Sequence, residues 1–193
     1  MTELTLVRHG RTQANIDGIY CGRLNPPLTQ AGVEDAQAAA LALSGTQFSR
    51  VYCSDALRAR QTAQLIAPEA QAAALPGLRE MNFGAFEGLC ADAIQQRMPT
   101  EWQAYMDDYK GFTFPGGENV RDYLTNAAQC INAIIRETGE GHALIVSHKG
   151  FILSVLSHLL HGDSEHLFCY DIKPAGIARL SVGQGCAVLR QLI

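Results

Sequence analysis

The amino-acid sequence predicts an α/β protein with a mostly parallel sheet flanked by helices. Short apolar segments at residues 3–7, 50–53 and 142–146 have the length and composition of buried strands. Helical patterns of ten or more residues alternate with these segments, which indicates strand–helix–strand crossovers. Ligands bind at the carboxyl ends of the strands in such sheets, so the residues that follow each strand are candidates for a binding site.

The N-terminal half of the chain supplies two of the helices. Thr29 can cap a helix that runs to about Ser44. Its apolar residues recur at helical spacing on one face: Val33, Ala36, Ala40 and Leu43. The strand at 50–53 is followed by a helix at 55–67, and a weaker strand is predicted at 71–75.

The C-terminal half supplies the remaining elements. Two helices are predicted at 87–98 and 101–108, separated at Pro99 because proline rarely continues a helix. A long helix at 118–137 follows the turn FPGG, and its apolar residues again recur at helical spacing. The other predicted elements are a helix at 149–160 and two or three final strands, with candidates at 167–172, 177–182 and 187–192.

The composition fits one domain spanning residues 1–193. Hydrophobic residues make up 47% of the chain and charged residues 18%, which is ordinary for a globular protein with a sizeable core. The formal net charge of −4 argues against nucleic acid as the main partner, because DNA-binding proteins usually present a basic face.

The sequence also predicts a cytoplasmic protein that does not interact with membranes. The start, MTELTLVRHG, has an early acidic residue and too short an apolar stretch for a signal peptide. No apolar run approaches the ~20 residues of a membrane-spanning helix. The six cysteines are widely spaced and form no CxxC pair, so we expect reduced thiols.

Charged and titratable side chains follow three of the predicted strands. Arg8 and His9 come directly after the first strand, Arg58 lies on the helix after the second, and His148 follows the third. A neutral imidazole is a competent nucleophile, and a guanidinium group binds phosphate oxygens through paired hydrogen bonds. Asn15 can add a further hydrogen bond. These residue types are suited to phosphoryl transfer, which depends mainly on positive groups around the phosphate oxygens.

Each of these residues also has a structural interpretation. A histidine after a strand can be a hydrogen-bonded structural residue, Arg58 can be a solvated helix residue, and Asn15 can form a turn. Spacing alone leaves both interpretations open. The convergence of two histidines and two arginines at one sheet edge is the argument for a phosphate site.

Several segments resemble motifs of the histidine phosphatase superfamily, also called the phosphoglycerate mutase-like family. LVRHGRTQAN at 6–15 resembles the RHG-x-T-x-x-N motif, and GRLNPPLTQAG at 22–32 resembles the G-x-x-D-x-P-L-T-x-x-G segment. Further segments match in the family's order: SDALRARQTA at 54–63, LRE at 78–80, FGAFEG at 83–88, PGGE at 115–118 and VSHKG at 146–150. The matches span nearly the whole chain, so the combination is highly specific.

The resemblance implies a fold, a reaction and a set of site residues. The fold would be a three-layer α/β sandwich with a helical cover segment inserted at about 81–114. His9 would be the nucleophile that becomes phosphohistidine, and Glu80 the general acid that protonates the leaving alcohol and later activates water. The residues that would bind the transferring phosphoryl group are Arg8, Arg58 and His148, with Asn15 beside them. Taken without the motif, Glu80 would be interpreted as a surface carboxylate paired with Arg79.

No metal or cofactor is implied, because arginines supply the positive charge that magnesium supplies in other phosphoryl-transfer enzymes. The expected partner is a small phosphorylated metabolite, and a homodimer is considered as the assembly. We assign four residues to substrate binding: Asn15, Gly22, Arg23 and Lys149. The charges of Arg23, Lys149 and Arg11 could instead be solvated at the surface.

The family contains both phosphatases and sugar-phosphate mutases, and the cover segment favours hydrolysis. A mutase needs extra cations above the site to hold a doubly anionic acid. Residues 81–114 contain two basic and five acidic residues, a net charge of −3, which suits that task poorly. We therefore expect a metal-independent phosphomonoesterase similar to small bacterial phosphatases, including those acting on α-ribazole phosphate. Phosphoglycerate mutase-type transfer is the alternative. A catalytically idle phosphate-binding module is disfavoured, because both His9 and Glu80 are present.

Aromatic residues are concentrated in or just beyond the cover segment: Trp102, Tyr105, Tyr109, Phe112 and Phe114. Most of them are expected to be packing residues. Any that face the site would favour a bulky or apolar leaving alcohol such as a nucleoside.

Overall fold

A six-stranded sheet runs through the computed structural model, which describes residues 1–183 and 185–193. Its strands are β1 (Thr2–Arg8), β2 (Arg50–Ser54), β3 (Ala73–Leu75), β4 (His142–Ser147), β5 (Ile177–Gly183) and β6 (Cys186–Leu192). Their spatial order is β3-β2-β4-β1-β5-β6. The β3, β2, β4 and β1 strands pair in parallel, whereas β5 and β6 pair antiparallel. The predicted α/β fold with a mostly parallel sheet is confirmed.

Helices connect the strands and cover both faces of the sheet. In the described part of the chain they are α1 (Gln13–Ile16), α2 (Gln30–Ala42), α3 (Leu57–Ile66), α4 (Ala91–Arg97), α5 (Pro99–Asp107), α6 (Val120–Thr138) and α7 (Lys149–His161). None of the helices in residues 1–183 and 185–193 combines the length and apolarity needed to cross a bilayer.

Strand β4 is buried on both sides, which explains its continuous apolar run. Ala143 and Ile145 pack in a core with residues of α6 and α7, whereas Leu144 and Val146 pack in a second core with residues of α2 and α3. Successive side chains of a strand point to opposite faces, so a central strand between two helical layers must be apolar at every position.

Helix starts follow local capping chemistry. Thr29 caps α2 as predicted, because its hydroxyl oxygen accepts a hydrogen bond from the backbone N–H of Gly32 at 3.1 Å. Asn119 caps α6 in the same way, so this helix begins two residues later than the predicted start at 118. The helix predicted from 87 begins only at Ala91, because Glu87 forms a bridge with Tyr20.

The strand predicted at 167–172 is wrong. Residues Leu167–Cys169 form a short 3₁₀ turn, and the chain is then extended without joining the sheet. Both edges of β1 are already occupied, by β4 and β5. The carbonyl of Ile172 instead accepts a hydrogen bond from Nη1 of Arg8 at 2.8 Å, so this segment serves the candidate site rather than the sheet.

Candidate active site

Strand register brings the predicted site residues together. Arg8 at the end of β1 lies opposite Ser147 at the end of β4, so the residues that follow, His9 and His148, are neighbours. Their ring centroids are 5.2 Å apart. Arg58 reaches the same point from the first turn of α3, the helix that follows β2. Parallel strands have their carboxyl ends at one sheet edge, which is why residues far apart in sequence meet there.

The His9 ring is held in one tautomer. Its Nδ1 lies 2.8 Å from the carbonyl oxygen of Gly10, which can only accept, so Nδ1 carries the proton. Nε2 therefore has the free lone pair, and Nε of Arg58 donates to it at 3.3 Å. Burial is the main cause that lowers the pKa of His9 to about 3, and the charge of Arg58 contributes. The imidazole is thus neutral at physiological pH and nucleophilic at Nε2.

Arg58 is almost completely buried, and no carboxylate in the described part of the chain forms a salt bridge with it. Its guanidinium donates instead to the carbonyl oxygens of Leu24, Cys21 and Gly22, at 2.8, 3.2 and 3.2 Å. Carbonyl groups satisfy its donors without neutralising its charge. The result is a fixed positive charge beside His9 that suits an anion.

Arg8 is the second arginine whose charge acts on His9. Its Nη1 is fixed on the carbonyl of Ile172, whereas its buried Nε has no hydrogen-bond partner in residues 1–183 and 185–193. A buried guanidinium donor without a partner is costly unless an anion fills the place. The two arginines together can therefore bind the oxygens of a phosphoryl group.

His148 has a different arrangement from His9. Its Nδ1 accepts from Nη2 of Arg58 at 3.1 Å, so Nε2 carries the proton and donates to Oγ of Ser54 at 2.8 Å. Burial first, and the proximity of His9 second, hold its pKa well below the usual value. His148 is thus a neutral residue that orients Arg58 in this structure, and contact with a phosphoryl group requires it to exchange one of these partners.

Glu80 is buried, and the alternative of a surface pair with Arg79 is wrong. Arg79 turns outward and binds Asp55 through Nε at 2.6 Å. The Glu80 carboxylate turns inward and accepts from the backbone N–H of Gly150 at 3.0 Å, from that of Met81 at 3.1 Å and from the hydroxyl of Tyr123 at 3.1 Å. The charge of Glu80 also acts on Arg8, so this buried carboxylate faces the phosphate site and can exchange a proton with a substrate oxygen.

The four residues that we assigned to substrate binding have different surroundings in the structure. Asn15 uses Oδ1 to accept from the backbone N–H and the hydroxyl of Thr12, at 2.9 and 3.0 Å, so its amide can offer only hydrogen-bond donors to a ligand. Gly22 adjoins the site directly through its carbonyl on Arg58. A Cβ at this position would lie 1.8 Å from the carbonyl oxygen of Met81, so only glycine fits.

The two charged members of that set have acidic partners. Arg23 pairs with Glu118 at 3.3 Å and also donates to the backbone carbonyl of Glu80 at 3.4 Å. Lys149 pairs with Asp171 at 2.5 Å, and this contact is the main cause that lowers the pKa of Asp171. Arg23 also borders a cavity of about 160 Å³, which is lined by Gly22, Arg23, Asn25, Asp55, Ala56 and Arg79.

Sequence reasoning missed the residues that support the site. Glu87 lies in the FGAFEG segment, and its carboxylate accepts from the backbone N–H groups of Gly22, Arg23 and Leu24 at 2.7 to 3.3 Å. Ser54 begins the SDALRARQTA segment, but the sequence did not predict its contact with His148. Motif membership was the available signal for both residues, but it does not reveal which distant group each contacts.

The aromatic residues of the cover segment pack mainly with one another. Phe86 is fully buried at the centre. Four of the five aromatic residues expected to be packing residues surround it: Trp102, Tyr105, Phe112 and Phe114. Tyr109 contacts Tyr105 on one side and Phe168 on the other. Burial and the charge of Glu80 raise the pKa of Tyr109 to about 12. Of the five, Tyr109 is therefore the one with an electrostatic link to the site.

Metal ions in proteins require sets of ligands such as His, Cys, Asp or Glu side chains. Among residues 1–183 and 185–193, no three His, Cys, Asp or Glu side chains are placed to hold a metal ion. All six cysteines are free thiols. Arg8 and Arg58 supply positive charge to the site.

Known proteins are similar to this chain in sequence and in fold over nearly the whole length of both chains. The chain is 30% identical to the adenosylcobalamin/α-ribazole phosphatase of Escherichia coli (strain K12) over 191 residues, which cover 98% of this chain and 94% of that protein. The crystal structure of the α-ribazole phosphatase from Shigella flexneri superposes with a TM-score of 0.92 at 30% identity, covering 98% of this chain and 95% of that one. A 2,3-bisphosphoglycerate-dependent phosphoglycerate mutase from Azorhizobium caulinodans is 28% identical over 98% of this chain and 91% of its own length.

A family model adds to these similarities. The model of the histidine phosphatase superfamily (branch 1) matches residues 4–193. The match includes all the segments on which the resemblance rested, from the RHG motif onward. The α-ribazole phosphatase of Escherichia coli matches this chain at higher sequence identity, and over more of its own length, than the mutase from Azorhizobium caulinodans does. The chain is therefore a phosphatase that belongs to the histidine phosphatase superfamily.

Proposed function

We propose that this enzyme hydrolyses the phosphate monoester of a small metabolite in two steps, through a phosphohistidine formed on Nε2 of His9. The observation that carries the proposal is the bond from Nδ1 to the carbonyl of Gly10, which leaves the Nε2 lone pair directed at the Arg58 guanidinium. A phosphoryl group bound by Arg58 takes over the hydrogen bond from Nε of Arg58, which releases the Nε2 lone pair to attack phosphorus.

In the first step, the Nε2 lone pair attacks phosphorus and the bond from phosphorus to the leaving oxygen breaks. Protonated Glu80 transfers its proton to that oxygen, so that an alcohol departs. Arg8 and Arg58 stabilise the charge on the three remaining phosphate oxygens. The neutral state of His9 supports this role, because a protonated imidazole has no lone pair at Nε2.

In the second step, water attacks the phosphohistidine. Glu80, now ionised, takes a proton from that water, and the bond between phosphorus and Nε2 breaks. The products are orthophosphate and His9 with its original tautomer. One carboxylate serves both steps, and its burial together with its charge interaction with Arg8 supports the assignment.

The relatives support α-ribazole phosphate as the first substrate to test. Proteins named as α-ribazole phosphatases match this chain at 30% identity over nearly all of both sequences. The net charge of −3 on residues 81–114 works against doubly anionic acids, which a mutase must hold. Turnover of α-ribazole phosphate should therefore exceed that of phosphoserine, sugar phosphates and nucleotides at matched concentrations, and isomerisation of 3-phosphoglycerate should be absent with a bisphosphate primer.

Rapid quenching with ³²P-labelled p-nitrophenyl phosphate tests the intermediate. The wild-type enzyme in EDTA should form an acid-labile labelled adduct and turn over, whereas His9→Ala should form none. His158→Ala, which changes a histidine outside the site, is the matched control and should retain the adduct. Full turnover by His9→Ala would contradict the proposal, as would turnover of the wild type without a labelled adduct.

A further inference from the structure

The carboxylate of Glu80 is held by one side chain as well as by the backbone. The hydroxyl of Tyr123, on the first turn of α6, lies 3.1 Å from Oε1. The same hydroxyl lies 3.3 Å from the carbonyl oxygen of Arg79. A hydroxyl has one proton to donate, and an ionised carboxylate is both the nearer and the stronger acceptor. Tyr123 therefore donates to Glu80 when that carboxylate is charged.

The two oxygens of the Glu80 carboxylate are not equivalent. Oε1 accepts from the hydroxyl of Tyr123 and from the backbone N–H of Met81, which occupy both of its lone-pair directions. Within the described residues, Oε2 accepts only from the backbone N–H of Gly150. The remaining lone pair of Oε2 is the position at which a transferable proton can sit.

We propose that Tyr123 is a positioning residue for the reaction: its hydroxyl fixes the Glu80 carboxylate so that Oε2 is the oxygen that exchanges a proton with the leaving alcohol and with water. This inference rests on the proposed function, because it assigns the proton transfer of that mechanism to one atom. Tyr123 acts through Glu80: in the described part of the chain its hydroxyl has hydrogen bonds to Glu80 and to the backbone of Arg79, and none to Arg8, Arg58, His9 or His148.

Tyr123 is suited to this role because it stays protonated. Burial first, and the charge of Glu80 second, raise the pKa of Tyr123 well above its ordinary value. The hydroxyl is therefore a constant donor over the working range of pH and is not itself a proton source. Its hydrogen bond stabilises the ionised form of Glu80, so its removal makes Glu80 easier to protonate.

Other charged or titratable groups also surround Glu80, and they stay in place when Tyr123 is changed. They are Arg8 from β1, Cys21 and Arg23 from the loop after α1, and Tyr109 after α5. Glu118, just before α6, also acts on the hydroxyl of Tyr123 and pairs with Arg23. A change of Tyr123 to Phe removes one donor from this environment and adds no charge.

The test compares Tyr123→Phe with the wild type on an alkyl phosphate, whose alcohol needs a proton in order to leave. Proton transfer from Glu80 limits activity on the alkaline side, so the alkaline limb of kcat should move to higher pH when the hydrogen bond that favours the charged carboxylate is lost. The shift should be much smaller with p-nitrophenyl phosphate, because p-nitrophenolate leaves without a proton. Tyr105→Phe removes a hydroxyl from the neighbouring aromatic cluster and should leave both profiles unchanged.

A second measurement does not depend on turnover. The ¹³C signal of the Glu80 carboxyl group, titrated in the free enzyme, should have its midpoint at higher pH in Tyr123→Phe than in the wild type or in Tyr105→Phe. An unchanged midpoint together with an unchanged alkaline limb would overturn the role of Tyr123, even if the wild type forms phosphohistidine. A wild type that forms no phosphohistidine would refute the proposed function, and the titration would still report the contact between Tyr123 and Glu80.

Discussion

At the scale of single residues, the chemistry of the site depends on side chains that are buried while the positive charge of Arg58 is not neutralised by a carboxylate. His9 and Arg58 are both buried, yet Arg58 is held by three backbone carbonyls and His9 by one. A carboxylate in place of these carbonyls would cancel the positive charge that a phosphoryl group needs. Backbone acceptors instead satisfy the donors of Arg58 and leave its charge available.

The buried His9 should make the stability of the protein depend on pH. An unfolded histidine takes up a proton near pH 6.5, whereas folded His9 does so only near pH 3. Between these values the unfolded state binds more protons, so the free energy of unfolding decreases as the pH falls from 6.5 towards 3. Between pH 5.5 and 4.5, it should fall by about 1 kcal/mol more in the wild type than in His9→Gln.

Urea unfolding at several pH values measures this difference. The wild type and His9→Gln share all other titrating groups, so those groups cancel in the comparison. Parallel pH dependence of the two free energies would show that folded His9 titrates like an unfolded one, contrary to its burial beside Arg58.

At the scale of elements, the loop at residues 22–24 is the connection between the cover segment and the catalytic edge of the sheet. The carboxylate of Glu87 binds the N–H groups of this loop, and the carbonyls of Gly22 and Leu24 bind Arg58. The position of Arg58 therefore depends on a carboxylate that does not touch it. The sequence predicted a helix at 87–98. The contacts of the Glu87 carboxylate with the loop explain why the chain is not helical at this residue.

Replacement of Glu87 by Gln should weaken phosphate binding. The amide retains one accepting oxygen and adds a donor that faces the N–H groups of the loop, so at least one of them loses its partner. An unsatisfied donor costs about 1–3 kcal/mol, so kcat/KM for phosphate esters should fall by roughly 10- to 100-fold, and inorganic phosphate should inhibit more weakly.

Glu69→Gln is the matched control, because Glu69 is exposed beyond α3 and should leave kcat/KM unchanged. Steady-state kinetics with p-nitrophenyl phosphate, with inorganic phosphate as inhibitor, measures both effects. Wild-type values in Glu87→Gln would mean that the loop holds Arg58 without the carboxylate.

At the scale of the whole molecule, the aromatic cluster joins the cover segment to the main core. Phe86 is fully buried, and the rings around it belong to the same core cluster as residues of β1, β4 and α6. The cover segment is thus packed onto the sheet domain through its own side chains, and its aromatic residues are chiefly structural.

Truncation of Phe86 should therefore destabilise the protein strongly. Phe86→Ala removes a buried ring, which costs about 3–5 kcal/mol of unfolding free energy in a well-packed core. Phe168→Ala removes a ring that is 75% exposed and should change stability by no more than about 0.5 kcal/mol. Denaturant unfolding of both variants measures the contrast, and similar losses in the two would contradict a structural role for the cluster.

Much of the fold and of the site follows from local patterns. Apolar runs of strand length and apolar residues at helical spacing predicted β1, β2, β4, β5 and β6 and the main helices. The carboxyl ends of parallel strands share one edge, so Arg8, His9, Arg58 and His148 could be expected to meet. The motif order was sufficient to identify the family that the model match then confirmed.

Only the tertiary structure decided the contacts between distant residues. Sequence patterns carry information about neighbours two to four positions apart, whereas the tautomer of His9, the inward turn of Glu80 and the attachment of residues 22–24 to Glu87 depend on which groups packing brings together. The failed strand at 167–172 has the same cause, because its apolar pattern does not reveal that the carbonyl of Ile172 binds the distant side chain of Arg8. Local sequence propensity thus determined the helices and strands and the sheet edge at which the active site lies. Long-range packing determined the hydrogen bonds of the active-site residues.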